Sequence, residues 1–160
     1  ALTNIYNRYG FDTLAERMIA KNPRNHYIAA LLDVDNFKLI NDVYGHSHGD
    51  LALQTIADAM RAAAQKEEIC ARIGGDEFEV FGYDYDTEQA EQYISRFRQY
   101  LADFNRNSRL PYSVDASLGY TISTPADSYS LEHYMKTSDK LLYQNKRKRK
   151  KQFGNLSKRP

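Results

Sequence analysis

The sequence predicts an α/β sandwich, in which helices cover both faces of a mixed β-sheet. Residues 27–32 form a short and almost wholly apolar run, which is typical of a central strand buried on both faces. Gly74 and Gly75 separate two short runs rich in β-branched and aromatic residues, and this pattern predicts a tight hairpin. The other periodic segments read mainly as helices, and such a mixture of elements is typical of layered α/β domains.

The first half of the chain contains three predicted helices. The first is expected to run from the cap Asn7 to about Ala20, because apolar residues recur there at helical spacing. A second is expected to begin near Asn36 and to end at Gly45. Residues 46–50 are interpreted as a loop that leads into a third helix, in which apolar residues again fall at helical spacing.

The second half follows the hairpin with a helix, a strand and a last helix. Residues 86–89 resemble a capping box that opens the fourth helix. Residues 112–123 alternate loosely between apolar and polar side chains, so we expect a strand that Pro125 ends. The last helix is predicted to begin at Ser130 and to run into the basic segment 146–151.

Composition limits the class of protein. The chain has 160 residues, of which 42% are hydrophobic, and this is enough for one globular domain. No apolar run is long enough to cross a membrane, and a single cysteine, Cys70, excludes a disulfide framework. Cys70 lies in an apolar run, so we expect a buried thiol. The chain begins abruptly at Ala1 without methionine, so we expect a single domain, residues 1–160, excised from a longer protein.

Two acidic pairs point to a metal site. Asp33 and Asp35 follow the buried strand, and Asp76 and Glu77 lie at the hairpin turn. If the hairpin pairs beside the central strand, Asp33 and Asp76 converge, and two carboxylates with a bound polyphosphate are a usual way of holding Mg²⁺. The alternative is an ordinary turn with solvated acids and two helix caps. We interpret Asp35 as a helix cap. A cap role explains the position of Asp33 less well.

Main-chain amides and lysines near these acids suit a phosphate chain. The amides of Asn36, Phe37 and Lys38 open a helix, and helix N-termini attract anions. Lys146 and Lys150 are one helical turn apart, so both can reach one polyphosphate. The alternative for the basic segment is a solvated tail or a nucleic-acid patch. Without an aromatic RNA-binding signature, nucleic acid ranks low as a partner.

Asn41 and Asp50 flank a glycine-containing turn and are candidates for reading a guanine base. Asp accepts hydrogen bonds from the N1–H and the exocyclic amine, and Asn addresses the remaining edge. The alternative from spacing alone is that Asp50 caps a helix. His46 and His48 have no further ligands at metal-binding spacing, so we interpret both as loop residues.

Five segments together resemble one family. They are Leu2-Thr3 with Asn7-Arg8, Asp33 through Asp50, Arg72-Ile73-Gly74-Gly75-Asp76-Glu77-Phe78, Ser117-Leu118-Gly119, and Ser138-Asp139 with Leu142-Tyr143 and Lys146. In this order they resemble the GGDEF domain, the catalytic module of bacterial diguanylate cyclases. The resemblance covers essentially the whole chain and implies a five-stranded sheet surrounded by helices, akin to nucleotidyl cyclases and the ferredoxin-like polymerase palm.

The resemblance implies a reaction in which two GTP molecules condense to cyclic di-GMP and pyrophosphate. It implies a cofactor, Mg²⁺ or Mn²⁺, held by Asp33, the Val34 carbonyl and Asp76 with Glu77 beside them. Asp76, Glu77 and Lys38 become the catalytic candidates. The implied substrate contacts are Asn41 and Asp50 for guanine, Phe37, Lys38, Gly74 and Gly75 around the phosphates, and Lys146 and Lys150 for the distal phosphates.

The resemblance also implies partners and a location. Because one domain holds one GTP, two copies must face each other, and a sensor or dimerisation domain is expected before Ala1. The domain is expected in the cytoplasm, on a full-length protein that can be membrane-anchored. The alternative is a catalytically silent GTP-binding sensor module, although such relatives usually lose the signature acids, which are intact in this chain.

The chain departs from the family pattern at three places. Asn4 stands where glycine is usual, and residues 149–151 replace the terminal Gly-Arg-Asn. Gln65 and Glu68 occupy the positions of the Arg and Asp that form an inhibitory product site in many members. Gln65 lacks the charged fork that grips phosphate, so we expect no tight product inhibition there.

Overall fold

The computed structural model describes residues 2–123 and 131–156, and side chains as far as Lys150. The predictions for Pro125 and Ser130 lie outside the described residues. None of the described helices is both long and apolar enough to cross a lipid bilayer. The helices and strands are α1 (Arg8–Lys21), β1 (Tyr27–Val34), α2 (Phe37–Tyr44), α3 (His46–Ala63), β2 (Ile69–Gly74), β3 (Glu77–Tyr83), α4 (Thr87–Asn107), β4 (Ala116–Ile122) and α5 (Leu131–Leu156).

The described sheet has four strands in the order β2-β3-β1-β4, and every neighbouring pair is antiparallel. The prediction of a five-stranded mixed sheet is therefore wrong in strand number and direction for this part of the chain. The apolar run of β1 suggested a parallel centre, but helices on both faces bury an antiparallel strand equally well. Parallel pairing is found at one isolated bridge, between Tyr6 and Ala71.

Helices cover both faces of the sheet, as predicted for an α/β sandwich. On one face α3 and α4 pack against a core that contains Leu32, Val80 and Phe97. On the other face α1 and α5 pack against a second core that contains Phe11 and Phe81. β1 lies between the two cores, which explains why seven of its eight residues are buried.

Two of the predicted helix caps, Asn7 and Asp86, are confirmed. The Asn7 side chain accepts a hydrogen bond of 2.9 Å from the Gly10 amide and begins α1. Asp86 and Gln89 form a reciprocal capping box at α4, with nitrogen-to-oxygen distances of 2.8 Å and 3.0 Å. Such caps satisfy amides that have no partner inside the helix, and this explains why the local sequence was sufficient to locate both helix starts.

The prediction of a loop at residues 46–50 is wrong. α3 begins at His46, immediately after Gly45, which has φ +94° and separates α2 from α3. His46, His48 and Asp50 are therefore helical residues, and Asp50 does not cap the helix. His48 Nδ1 lies 2.8 Å from the hydroxyl of Tyr112, a contact with a residue 64 positions later in the chain.

The cap role assigned to Asp35 is also wrong. The N-cap of α2 is Asn36 in the left-handed region (φ +56°), and its side chain makes no capping hydrogen bond. The Asp35 carboxylate instead accepts a 2.7 Å hydrogen bond from the hydroxyl of Ser117 and pairs with Arg149 at 3.1 Å. The Asp35 carboxylate therefore binds residues distant in the sequence and does not cap α2.

The expectation of a buried thiol is confirmed. Cys70 is a free buried thiol, and burial raises its pKa to about 12, which leaves it protonated and unreactive at neutral pH. Asn4 has φ +54°, a conformation that glycine adopts freely and that asparagine tolerates better than most residues. The predicted strand at residues 112–123 is shorter in the structure and begins at Ala116.

Glu79 is a buried carboxyl group in the middle of β3, with 5% of its surface exposed. Its charged neighbours are Asp12 and Arg8 from α1, and Glu77 on its own strand. Burial is the main cause that raises its pKa from 4.5 to about 7, and Asp12 adds to the increase. The native state therefore holds this proton more tightly than the unfolded chain does.

The contribution of Glu79 to stability should be full below about pH 4.5 and should be lost as the pH rises through about 7. Glu79→Gln should therefore raise the free energy of unfolding by about 2 kcal/mol at pH 8 and leave it nearly unchanged at pH 4. Urea unfolding at the two pH values measures this difference. Glu16→Gln, an exposed change on α1, is the control, and an equal gain at both pH values for Glu79→Gln would contradict the assignment.

Candidate active site

The structure brings the two acidic segments together at one end of the sheet. β1 and β3 are neighbours, and their register places Asp33 directly opposite Glu77. The amide of Val34 donates a 3.1 Å hydrogen bond to the carbonyl oxygen of Asp76. The hairpin therefore pairs beside the central strand, as the convergence of Asp33 with Asp76 required.

Asp33 is the most constrained of these acids. Its side chain is 13% exposed, Oδ2 accepts a hydrogen bond from the Lys146 ammonium, and Oδ1 is buried without a hydrogen-bond partner among the described residues. Burial, together with the neighbouring Asp76 carboxylate, raises the pKa of Asp33 to about 6, although Lys146 acts to lower it. A cation that contacts Oδ1 would satisfy this atom and favour the charged form.

The donor set fits a hard divalent cation. Asp33 and Asp76 can supply carboxylate oxygens. Val34 lines the cleft described next and can supply a carbonyl oxygen at the strand end. Glu77 is exposed on the same face of the sheet as Asp33. No cluster of three or more carboxylate, imidazole or thiol side chains occurs in the described part of the chain. The remaining ligands must therefore be main-chain, water or phosphate oxygens, which is typical of Mg²⁺.

A cleft of about 1030 Å³ opens beside this end of the sheet, between α2, α4, α5 and the segment before β4. Phe37 and Lys38 line it from the first turn of α2, and Lys146 and Lys150 line it from α5. Six of the candidate residues predicted from the sequence therefore line one cleft: Val34, Phe37, Lys38, Asp76, Lys146 and Lys150.

The backbone around the cleft is open to a ligand at two places. No side chain caps the first turn of α2, where Lys38 is exposed, so the amides of this turn are available to an anion. At the hairpin turn Gly75 has φ +31°, and no atom lies within 4 Å of the position of a Cβ on Gly74 or Gly75. Arg72 Nε donates a 3.0 Å hydrogen bond to the Gly75 carbonyl and holds the turn in place.

The candidate guanine-reading residues lie together, but outside this cleft. The Asn41 side chain from α2 packs on Gly49 of α3, where a Cβ would lie only 1.9 Å from Asn41 Oδ1. Asp50, the next residue on α3, is exposed. Neither Asn41 nor Asp50 lines the cleft, so the pair forms a separate polar patch between α2 and α3.

Sequence reasoning missed an ion-pair network on the cleft wall. Arg149 on α5 and Arg98 on α4 both pair with Asp115, at 2.6 Å and 2.5 Å. Arg149 also pairs with Asp35 on the other side of its guanidinium group. Asp115 and Arg98 stand alone in the sequence and carry no motif, so no local signal identified them.

The segment that corresponds to the inhibitory product site is internally bonded. The Glu68 carboxylate accepts hydrogen bonds from the amides of Gln65 (3.3 Å) and Lys66 (2.8 Å) and from the hydroxyl of Tyr85 (2.7 Å). Glu68 therefore stabilises the turn formed by residues 65–68. The expected absence of tight product inhibition through Gln65 and Glu68 stays a prediction.

Comparisons with known proteins agree with the motifs. The family model for "Diguanylate cyclase, GGDEF domain" matches residues 1–152. The probable diguanylate cyclase DgcT of Escherichia coli K12 is 32% identical over 149 residues, which cover 91% of this chain. The chain spans only 32% of that relative's length.

Solved structures agree with the fold. The GGDEF domain of DgcB from Caulobacter crescentus, determined in complex with c-di-GMP, superposes with a TM-score of 0.81 at 27% identity, covering 92% of this chain and 88% of that one. The active GGEEF domain of a diguanylate cyclase from Vibrio cholerae has a TM-score of 0.79 at 27% identity, with 91% and 93% covered.

Diguanylate cyclases with this domain are metal-dependent enzymes. This agrees with the buried Oδ1 of Asp33, which has no hydrogen-bond partner among the described residues. The family model covers nearly the whole chain, and the strand ends bring together the acids of the signature segment. The chain belongs to the GGDEF family of diguanylate cyclase domains.

Proposed function

We propose that this chain condenses two molecules of GTP to cyclic di-GMP and pyrophosphate. The observation that carries the proposal is the meeting of Asp33 and Asp76 at the end of β1, beside a cleft lined by lysines from α2 and α5. This arrangement offers carboxylates for a metal and cations for a polyphosphate within one site. The family relationship supports the same reaction.

In this reaction the 3′-hydroxyl of each GTP forms a bond to the α-phosphorus of the other, and the bond from each α-phosphorus to pyrophosphate breaks. A Mg²⁺ or Mn²⁺ ion held by Asp33, Asp76 and the Val34 carbonyl would lower the pKa of that hydroxyl and neutralise charge on the phosphoryl group. The hydroxyl proton passes to a carboxylate at the turn, Asp76 or Glu77.

The remaining candidates bind and orient the triphosphate. Lys38 and the amides of the first turn of α2 hold the inner phosphates, with Phe37 fixing that turn against the core. Lys146 lies between Asp33 and the cleft, and Lys150 lies one turn further along α5, so both face the distal phosphates. Together they neutralise charge that develops on the leaving pyrophosphate.

The proposed reaction requires two copies of this domain. Each copy holds one GTP, so an active homodimer must place two sites opposite each other. One solved relative contains the coiled coil and GGDEF domain of DgcB, and another is diguanylate cyclase SiaD with its activator SiaC. We propose that this chain is likewise joined to a dimerising or sensing segment before Ala1, and that it works in the cytoplasm, where GTP is present.

The test is to incubate the domain, fused to a dimeric coiled coil, with GTP and Mg²⁺ and to quantify cyclic di-GMP and pyrophosphate. Two moles of pyrophosphate are expected for each mole of cyclic di-GMP, because joining two GTP molecules into the cyclic product releases one pyrophosphate from each. A ratio other than this, or GTP binding without product, would favour a silent sensor module. Salt-dependent binding to DNA or RNA would instead support the alternative that the basic segment binds nucleic acid.

Asp50→Asn should relax the preference for guanine, because the amide replaces half of a carboxylate acceptor with a donor. We expect the ratio of kcat/KM for GTP over ITP, which lacks the exocyclic amine, to fall about tenfold. Asp58→Asn, the same change at an exposed position two turns further along α3, is the matched control. An unchanged ratio in Asp50→Asn would show that Asp50 does not read the base.

A further inference from the structure

Two rows of side chains run along the inner surface of α5. Asn145 and Arg149 form one row, one helical turn apart, and Lys146 and Lys150 form the next. Successive residues of an α-helix are turned by about 100°, so fixing the direction of the first row also fixes the direction of the second. The contacts of the first row therefore decide where the two lysines point.

The first row docks on β4, which is an edge strand of the described sheet. Asn145 Nδ2 donates a 2.7 Å hydrogen bond to the carbonyl of Leu118, and Arg149 donates one of 2.7 Å to the carbonyl of Ala116. These two carbonyls point away from β1, where a further strand would otherwise pair. The side chains of α5 satisfy them and hold the helix in register with the strand.

Arg149 makes the strongest of these attachments. One end of its guanidinium group contacts Asp115 at 2.6 Å, and the other contacts Asp35 at 3.1 Å as well as the Ala116 carbonyl. Its side chain is 25% exposed, and both terminal nitrogens already have acceptors. Arg149 is therefore occupied by the protein itself and is not free to bind a phosphate group.

Both carboxylates that hold Arg149 are themselves fixed. Asp35 accepts a hydrogen bond from Ser117 at the start of β4, and Asp115 pairs with Arg98 on α4. The guanidinium group thus connects α5 to the end of β1, the start of β4 and, through Asp115, α4. These are the elements that form the cleft wall.

We infer that Arg149 is a positioning residue for the reaction, which sets the rotation of α5 so that Lys146 and Lys150 face the triphosphate. The inference rests on the proposed function, since it names a residue that acts through the lysines of that same site. Lysine cannot replace Arg149, because an ammonium group lacks the fork that spans two carboxylates and a carbonyl.

The probe is 3′-deoxy-GTP with Mg²⁺, which carries the full triphosphate but lacks the hydroxyl that would react. Its binding to the dimeric domain is measured by calorimetry beside GMP, which lacks the phosphates that the lysines face. Arg149→Ala should weaken binding of 3′-deoxy-GTP about tenfold, as expected for displaced binding groups, and change GMP binding less than twofold. Arg149→Lys should show a similar loss.

Arg147→Ala is the matched control, because Arg147 is exposed on the same helix and stacks on the ring of Tyr143. It removes the same charge and should leave binding of both ligands within twofold of the unmodified chain. Wild-type binding by Arg149→Lys would show that charge alone matters, and equal loss for GMP and 3′-deoxy-GTP would show a general structural defect. Either result overturns the inference. If the unmodified chain binds 3′-deoxy-GTP but makes no cyclic di-GMP, the proposed function fails, whereas a loss of binding in Arg149→Ala would still support the orientation of the two lysines by Arg149.

Discussion

Asp76→Asn is expected to lower the rate of cyclic di-GMP formation by at least about a thousandfold, because it removes the charge of a proposed metal ligand at the reacting centre. The fold should survive, since the Asp76 carboxylate lies at a turn and its contact with β1 is made by the main chain. Asp33→Asn should have a similar effect on rate, as it removes the carboxylate whose Oδ1 has no protein partner.

The measurement combines initial rates in the coiled-coil fusion with Mn²⁺ binding followed by electron paramagnetic resonance. Both variants should lose Mn²⁺ affinity and retain the melting temperature of the unmodified chain. Asp103→Asn, a change at a half-buried surface position on α4, serves as the control for charge. Normal turnover in Asp76→Asn with Mg²⁺ would show that the metal assignment is wrong.

The sequence was sufficient for elements whose signals are local. Asn7 and the capping box at Asp86 place helix starts through contacts made within four residues. The two glycines before Asp76 predict a tight turn that a ligand can approach, and the structure has free space around the turn at that position. The apolar run of β1 likewise predicted a central strand, because burial on both faces leaves no room for polar side chains.

Features that depend on distant partners could not be predicted in this way. Asp35 looks like a helix cap in the sequence, but its acceptors are used by Ser117 and Arg149, 82 and more residues away. Residues 46–50 look like a loop because they are polar and contain glycine. In the structure Gly49 is needed for the close approach of Asn41, and His48 contacts Tyr112, so tertiary packing stabilises a helix there.

The candidate site shows the same division. The signature acids were identified because two short motifs end at strand termini, and pairing of the strands brings them together. Arg149 was interpreted only as part of a basic segment, and its role depends on two carboxylates from other elements. Charge composition cannot distinguish the anchored Arg149 from its exposed neighbour Arg147.

Gly119→Ala should be the most destabilising of the substitutions considered. A Cβ at Gly119 would lie 2.3 Å from the Leu142 amide nitrogen and 2.5 Å from the Ser138 carbonyl oxygen. Both atoms belong to the backbone of α5, which cannot rotate away as a side chain can. The helix must therefore move off β4 or the strand must bend, and overpacking of this kind should lower the free energy of unfolding by about 3 kcal/mol.

A displaced α5 would also disturb two hydrogen bonds that attach this helix to the sheet. Ser138 donates a 2.7 Å hydrogen bond to the Ala29 carbonyl, and Asn145 one of 2.7 Å to the Leu118 carbonyl, so a shifted helix strains both attachments. Urea unfolding measures the stability, with Gly74→Ala as the control because its Cβ would meet open space. A loss below about 0.5 kcal/mol, which is the usual range for a surface change, would mean that α5 adapts freely to β4. The docking of α5 could then no longer be what fixes the direction of its lysines.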